Sequence, residues 1–524
     1  MRMDRRQLLQ LLALSGAGAA TAHSFGAPVR KRPPNIVVIL SDDVGYGDVG
    51  CYGANDVKTP RIDELAKDGL RFTNAHCDAA TCTPSRYALL TGSYAWRRDG
   101  IQVLPGDAKL LIHPEQSTIA SILKKAGYRT GLVGKWHIGL GSGTIDWNRD
   151  IEPGPCEIGF DEAFFFAATA DRVPTVYIHD HRVVGLDPAD PIQVSYRAKV
   201  GNEPTGKENP DLLKMKLSEG HDGTIVDGVS RIGFMTGGKS ARWTDENMAA
   251  TFTDKAVEFI DRNHNQPFFL YFTPSDIHVP RMPNKQFANK NACGIRCDVL
   301  NELDWSVGRI VDKLKSLHLE EDTLILFSSD NGPVVNDGYD DGADHHTDSH
   351  PPAGPWRGGK YTITEGGTRI PFIVQWKGTV KPGGVSDALV SQLDLTASLA
   401  DLAGTRPPQG AAQDSENVLP ALLGRSTIGR QSLVEEAQCL ALIEGDWKLI
   451  DRAQRPGTTP QTVHGYIPDT ILGDAPRETP PQSAIELYNL KVDPHEMHNI
   501  AAQHPEIVTR MQSKLADIRA RQPH

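Results

Sequence analysis

Residues 35–43 read NIVVILSDD: a β-branched, apolar run over 35–40 that stops abruptly at Ser41, Asp42 and Asp43. A run this short has the length of one buried strand. The design recurs at residues 323–327, TLILF, which ends in Ser328, Ser329, Asp330, Asn331 and Gly332. Between the two lie helical segments, one after Thr59 with Pro60 at its first position and another over 117–126 with Gly127 as its stop. Leu300, Leu303, Val307, Ile310, Val311 and Leu314 keep helical spacing directly ahead of the second run. Residues 130–133, 268–272 and 371–375 are further strand candidates. Helices alternating with buried strands imply an α/β fold, a largely parallel sheet covered on both faces. In such sheets ligands gather beyond the carboxyl ends of the strands, so the two acidic strand ends are where a site is expected.

A chain of 524 residues exceeds what one core usually supports. From Gly404 the texture turns to proline and polar residues, then 447–450 and 487–490 read as short strands ahead of a last helix from Pro505. The expected division is a catalytic domain over 33–404 and a smaller C-terminal α+β subdomain over 405–524. Hydrophobic residues at 39% and charged residues at 23% exclude a disordered chain. A net charge of -11 excludes general affinity for nucleic acid or anionic membrane, which requires a basic surface. Any anion site must then be a local basic cluster.

Residues 1–22 read as a signal peptide: Arg5 and Arg6, an apolar run from Leu8 to Leu14, then small residues to Ala22. The paired arginines with Gln7, Leu8 and Leu9 resemble a bacterial twin-arginine leader; a general secretory leader with incidental arginines is the alternative. The apolar run falls short of the roughly 20 residues that span a bilayer, so an exported protein, periplasmic or secreted, without a membrane anchor is expected. Seven cysteines, at 51, 77, 82, 156, 293, 297 and 439, leave an odd one out. Cys293 and Cys297 are close enough for a local disulfide or remain free thiols; a zinc knuckle would need two more ligands.

Asp42, Asp43, Asp330 and Asn331 offer only oxygen, the ligand that a hard cation such as calcium prefers. Each pair alone reads as a turn cap. Together on two strand ends they favour a metal. Residues 82–92 read CTPSRYALLTG. Pro84 and Ser85 can open a helix, which places Cys82 just before its N-terminus, where free amides and the helix dipole favour negative charge. Arg86 lies four residues on and points to the same side, so an anion fits between them.

The stretch 82–92 resembles the full signature of type I sulfatases, the cysteine form of C/S-x-P-S-R-x-x-x-L-T-G. Residues 127–139 (GYRTGLVGKWHIG) resemble the family's second signature, and 357–371 (RGGKYTITEGGTRIP) the segment with its other sulfate-binding lysine. The likeness runs from Asn35 to ELYNLKVDPHEMHNI at 486–500. It implies an alkaline-phosphatase-like fold, a mixed, largely parallel sheet flanked by helices with a smaller C-terminal subdomain. It implies hydrolysis of a sulfate ester, with Cys82 oxidised to formylglycine by a formylglycine-generating or sulfatase-maturating enzyme. Asp42, Asp43, Asp330, Asn331 and the modified Cys82 would hold one Ca2+. Arg86, Lys135, Lys360 and His278 would contact sulfate, and His137 the modified residue. His278 is favoured over His264 because it follows, rather than precedes, the strand at 268–272.

Fixed cations suit charge building on the sulfate oxygens, and a formylglycine hydrate can expel sulfate where a thiol would be left with a thiosulfate. Lys135 and His137, two apart in an extended segment, are expected to share one face, with Trp136 turned away. Sulfated carbohydrate is the expected substrate. Trp147, Arg172, His181, His345, His346, Trp356 and Arg357 are candidate selectivity residues because their segments read as loops around the site. The rivals are a phosphatase or phosphodiesterase of the same superfamily and an inactive, glycan-binding relative.

Overall fold

The computed structural model describes residues 32–453 and 483–521, so the leader read at 1–22 lies outside the described residues. The strands of the main sheet are, in chain order, β1 (Asn35–Ser41), β2 (Leu70–Phe72), β3 (Arg129–Lys135), β4 (Glu162–Phe166), β5 (Ile178–His179), β6 (Arg182–Val183), β7 (Phe268–Thr273), β8 (Thr323–Ser329), β9 (Phe372–Gln375) and β10 (Gly384–Ser386). Their spatial order is β10-β2-β9-β8-β1-β7-β3-β4-β5-β6. The five central strands, β8, β1, β7, β3 and β4, run parallel, while β9 and β5 pair antiparallel at their flanks. The run at 371–375 is therefore a strand of the opposite direction.

Both faces of the sheet are covered, which is why the central strands are apolar without alternation. Ile36, Val38 and Leu40 of β1 enter one core, which also contains Leu89, Leu123 and Leu399 from three helices, α2 (Cys82–Thr91), α3 (Ile119–Lys125) and α6 (Leu395–Leu402). Val37 and Ile39 enter the other, together with Leu65, Phe259 and Leu303 from α1 (Pro60–Lys67), α4 (Met248–Asn263) and α5 (Gly294–Ser316). Each such side chain contributes roughly 1.5–3 kcal/mol on full burial, so a shift of β1 by one residue would disturb both cores at once. The register is fixed accordingly: Asn35 pairs with Thr323 and Ser41 with Ser329, which sets Asp42 beside Asp330 at one sheet rim.

A second sheet of four antiparallel strands, β11 (Ser432–Glu436), β12 (Leu440–Glu444), β13 (Trp447–Asp451) and β14 (Ile485–Asn489), packs against the last helix, α7 (Pro505–Ala520). Leu433, Leu442, Leu449 and Leu487 meet Met511 and Leu515 there, together with Ala88 and Tyr94 from the α2 region. A buried ionic cluster ties this sheet to the segment after Lys360. Lys448 Nζ of β13 lies 2.9 Å from Glu365, 3.0 Å from Glu435 and 3.4 Å from Glu496, and His76 Nδ1 is 2.9 Å from Glu435. Replacing Lys448 with methionine would leave the buried Glu496 without this ion pair and Glu365 and Glu435 with one cationic partner fewer, Arg369 and His76 remaining, and is expected to cost about 3 kcal/mol of stability. Chemical denaturation checks this; an unchanged midpoint would refute it.

Candidate active site

Helix α2 begins one residue earlier than its sequence suggests. Thr81 is the extended cap residue (φ -151°), and Cys82 is the first helical residue rather than the one before it. Pro84 is tolerated at the third position because the first amides of a helix have no intrahelical acceptor. All ten residues of α2 are buried, Arg86 included. The Arg86 guanidinium reaches Asp330 Oδ2 with Nε and Nη2, both at 2.9 Å, and donates from Nη1 to the Lys135 carbonyl at 3.3 Å.

Lys135 ends β3. The glycine before it has φ +122°, and a Cβ there would sit 1.9 Å from the Thr273 carbonyl, so only glycine lets β3 and β7 close up at this point. Lys135 Nζ contacts both Asp42 carboxylate oxygens, at 2.8 and 2.7 Å, and Asp330 Oδ2 at 3.8 Å. Asp43 occupies the left-handed region (φ 61°), which aspartate tolerates. Its carboxylate accepts from Asn331 Nδ2 at 2.7 Å and from Lys360 Nζ at 2.9 Å, and His278 Nε2 lies 3.8 Å away. Ligand atoms of Asp42, Cys82 and His278 lie within 4.8 Å of one another, as do those of Asp43, His278 and Asp337.

The extended segment expected through His137 ends at Lys135, because His137 is left-handed (φ 58°). Trp136 does turn away, into the core, with Nε1 donating to the Gly139 carbonyl at 2.7 Å. His137 Nε2 meets the Leu104 carbonyl at 3.0 Å, and this acceptor requires the proton on Nε2. Its Nδ1 is then the bare nitrogen, buried with no hydrogen-bond partner among the described residues. His278 is the mirror case: Nδ1 donates to the Val279 carbonyl at 2.7 Å and leaves Nε2 facing the cluster. His264 ends α4 at the opposite end of β7.

Burial dominates the electrostatics. It pushes the Cys82 thiol up to about 12 despite Lys135 and Lys360, so an unmodified Cys82 stays protonated at neutral pH. Burial also raises Asp42 to about 8, with Lys135 offsetting part of the rise and Asp330 and Asp43 adding to it. For Asp43 burial acts upward too, but Lys360, His278 and Lys135 more than offset it and hold the carboxyl well below its ordinary range. Burial, then Lys135 and Arg172, push His137 well below the usual imidazole value; burial and Lys360 bring His278 down to about 4. Three mutually repelling carboxylates and the Asn331 Oδ1 atom, buried without a hydrogen-bond partner among the described residues, are an all-oxygen donor set that fits a hard cation.

Of the seven selectivity candidates, the structure brings Arg172 to this cluster, beside Asp171, whose Oδ2 also meets His221 Nε2 at 2.9 Å. The others have different work. Trp147, at 3% exposure, is a core side chain, so its segment is no free loop. His181 pairs with Glu157 at 2.9 Å, next to Asp180, whose amide binds Ala163 near the start of β4, at the rim opposite the site. His345 projects outward beside Asp344, and the His346 ring lies against Gly294 of α5. Trp356 lies under the Arg369 guanidinium, and Arg357 lies over the Tyr488 ring. Sequence reasoning missed Asp337, 3.2 Å from Lys360 Nζ; it sits among several acids in one loop, and no spacing singles it out. Asp171, adjacent to a candidate arginine, could have been found by looking for that cation's partner.

Parallel strands that deliver cations, acids and imidazoles to one rim suit the hydrolysis of an anionic ester. The Sulfatase family profile matches residues 34–405, and the chain accordingly belongs to the sulfatase family and is a sulfuric ester hydrolase. It is 48% identical over 494 residues to an N-acetylgalactosamine-6-O-sulfatase of Bacteroides thetaiotaomicron, covering 94% of each chain. It is 31% identical over 518 residues to human arylsulfatase A, covering 95% of this chain and 88% of that one. A solved structure described under the metabolism of multiple glycosaminoglycans by Bacteroides thetaiotaomicron superimposes with a TM-score of 0.87 at 47% identity, over 94% of this chain and 100% of the other.

Proposed function

We propose that this sulfatase removes the 6-O-sulfate from N-acetylgalactosamine in sulfated carbohydrate, with Cys82 oxidised to formylglycine and one calcium ion at the acidic rim. The observation that carries the chemistry is the position of Cys82: a protonated, buried thiol at the first residue of a helix, with Arg86, Lys135, Lys360 and two imidazoles around it. The sugar rests on the 48% identity to the N-acetylgalactosamine-6-O-sulfatase. Asp42, Asp43, Asp330, Asn331 and the modified Cys82 would hold the calcium, which supplies charge stabilisation and a lowered hydroxyl pKa. Residue 82 as formylglycine would supply, in its hydrated form, a geminal diol as the nucleophile for attack on sulfur.

Arg86, Lys135 and Lys360 bind the sulfate oxygens and gain strength as negative charge builds there. His278, whose bare Nε2 faces the cluster, carries the proton to the leaving alcohol oxygen; the bound sulfate's negative charge raises its pKa for that task. His137 Nδ1, free of any other hydrogen bond among the described residues, takes the proton of the remaining hydroxyl as sulfate is expelled. Arg172, held by Asp171, would contact the sugar. The oxidation of Cys82 requires a maturating enzyme, and the leader at 1–22 exports the product. No helix among the described residues is long and apolar enough to cross a membrane.

The direct test is sulfate release, by ion chromatography, from a panel of defined sulfated monosaccharides and glycosaminoglycan oligosaccharides, with an aryl phosphate alongside. Release from 6-sulfated N-acetylgalactosamine ahead of its 4-sulfated isomer is expected. Faster cleavage of the phosphate, or no release from any sugar, would sink the proposal. His278→Asn should lower kcat on the sugar sulfate about 100-fold or more, and far less on a nitrophenyl sulfate, whose leaving group needs no proton. Equal losses on both substrates would deny His278 the role of general acid.

A further inference from the structure

Behind the cation site lies a buried arginine that the chemistry above does not use. Arg296 sits in the first turn of α5 and is 1% exposed. Its Nη2 donates to the Asp43 carbonyl at 3.1 Å and its Nη1 to the Val334 carbonyl at 2.8 Å. These carbonyls belong to the two turns that carry the proposed ligands, one after β1 and one after β8. The same guanidinium grips Asp48 with two bonds, Nε to Oδ1 at 3.0 Å and Nη2 to Oδ2 at 2.6 Å. Asp48 in turn accepts from the Gly45 amide at 2.7 Å and meets His350 Nε2 at 2.8 Å. Burial alone would raise Asp48, but Arg296 and His350 hold it down at about 2, so the pair is ionised at any working pH.

The arginine is itself held from the protein side. Cys293, the residue capping α5, and Cys297 are joined by a disulfide that closes the turn containing Arg296. The His350 ring nitrogen and the two sulfurs lie within 4.8 Å of one another, so the bridge backs the imidazole that completes the Asp48 pair. The bond from Arg296 to the Asp43 carbonyl fixes the peptide that follows this left-handed residue.

We infer that Arg296 is a positioning residue for the cation site, that it straps the Asp42–Asp43 turn to the Asp330–Asn331 turn, and that the Cys293–Cys297 disulfide holds it in place. This rests on the calcium reading above. Groups outside the ligand set that orient the ligands typically change metal affinity 10–100-fold when removed.

The experiment is calcium titration by calorimetry on the matured full-length chain, with kcat and KM measured against calcium concentration. Arg296→Met is expected to weaken calcium binding about 10–100-fold, to lower kcat at limiting calcium and to regain it at saturating calcium, with KM for the sugar sulfate little changed. Arg296→Lys, which keeps the charge and loses the fork, should fall between and serves if the methionine variant does not fold. The double variant Cys293→Ser/Cys297→Ser should weaken calcium in the same direction. Arg430→Met, which removes a buried arginine paired with Asp394 and bonded to neither ligand-bearing turn, should lower the melting temperature without changing calcium affinity; an equal loss of affinity there would mark the Arg296 effect as general destabilisation and overturn the inference. Folded Arg296 variants with wild-type calcium affinity would overturn it while leaving the calcium reading intact. A wild-type chain that binds no calcium would overturn both.

Discussion

Cys82→Ala should abolish sulfate release, by at least about 10^4-fold in kcat, while the protein stays folded. The size of the effect follows from what remains. Arg86, Lys135 and Lys360 would still gather the sulfate, but the described side chains beside them are carboxylates engaged by cations and the two imidazoles proposed above for proton transfer, and none carries the paired hydroxyls that the proposed turnover uses. The folding cost is small by comparison, about 1 kcal/mol for a sulfur atom lost from a buried site. Cys82→Ser separates two ideas. A serine hydroxyl could in principle attack once, but the resulting sulfate ester has no second hydroxyl through which to expel sulfate, so multiple turnover should be lost as completely as with alanine. Peptide mass analysis completes the test: active protein should carry a lighter Cys82 peptide, the aldehyde in place of the thiol. Fully active protein with only the unmodified thiol would contradict the mechanism, as would an alanine variant that retains a tenth of the activity.

Four of the five central strands, β1, β3, β7 and β8, were legible because they are largely buried apolar runs, whereas β4 (EAFFF) was not read. NIVVILSDD and TLILFSSD become β1 and β8 in register, and their acids meet for that reason alone. Arg86 was legible from its spacing to Cys82 on one helix. The left-handed turn at His137 was not, because alternation in an extended segment is a prediction about strands and His137 lies beyond the strand's end. Strands β11 and β12 passed unnoticed since SLVEE and LALIE end in glutamates. Glu435 and Glu436 are nonetheless buried, and Glu435 is compensated by Lys448 and His76, partners distant in sequence. The selectivity candidates fared worst. Trp147 and Trp356 sit in segments that read as loops, but tertiary packing draws their rings inward, and nothing local in the sequence reports that. The Cys293–Cys297 spacing left disulfide and thiols both open; the first turn of α5 brings the sulfurs together.

Asp330→Asn is expected to cost about 10^3-fold in kcat/KM, roughly 4 kcal/mol of transition-state stabilisation, and to weaken calcium binding in parallel. Asp330 is where the cationic and anionic halves of the site meet. Its Oδ2 accepts from Arg86 Nε at 2.9 Å, with Nη2 in ion-pair contact at 2.9 Å, and stands 3.8 Å from Lys135, while its Oδ1 accepts from the Asp43 amide at 3.3 Å. An amide of the same shape keeps the packing but removes the charge, which leaves Arg86 facing a neutral group that also presents hydrogens toward it or toward the Asp43 amide. A buried guanidinium deprived of its carboxylate is the costly situation, since its desolvation is no longer repaid. The freed Arg86 would also bind sulfate in the ground state as well as in the transition state, so KM should change less than kcat. Excess calcium should recover part of the lost rate and not all of it, since added cation can refill the ligand set but cannot restore the Arg86 partner. Complete recovery at high calcium would show that Asp330 serves the metal alone. A variant with wild-type kcat/KM at limiting calcium would remove Asp330 from the site altogether.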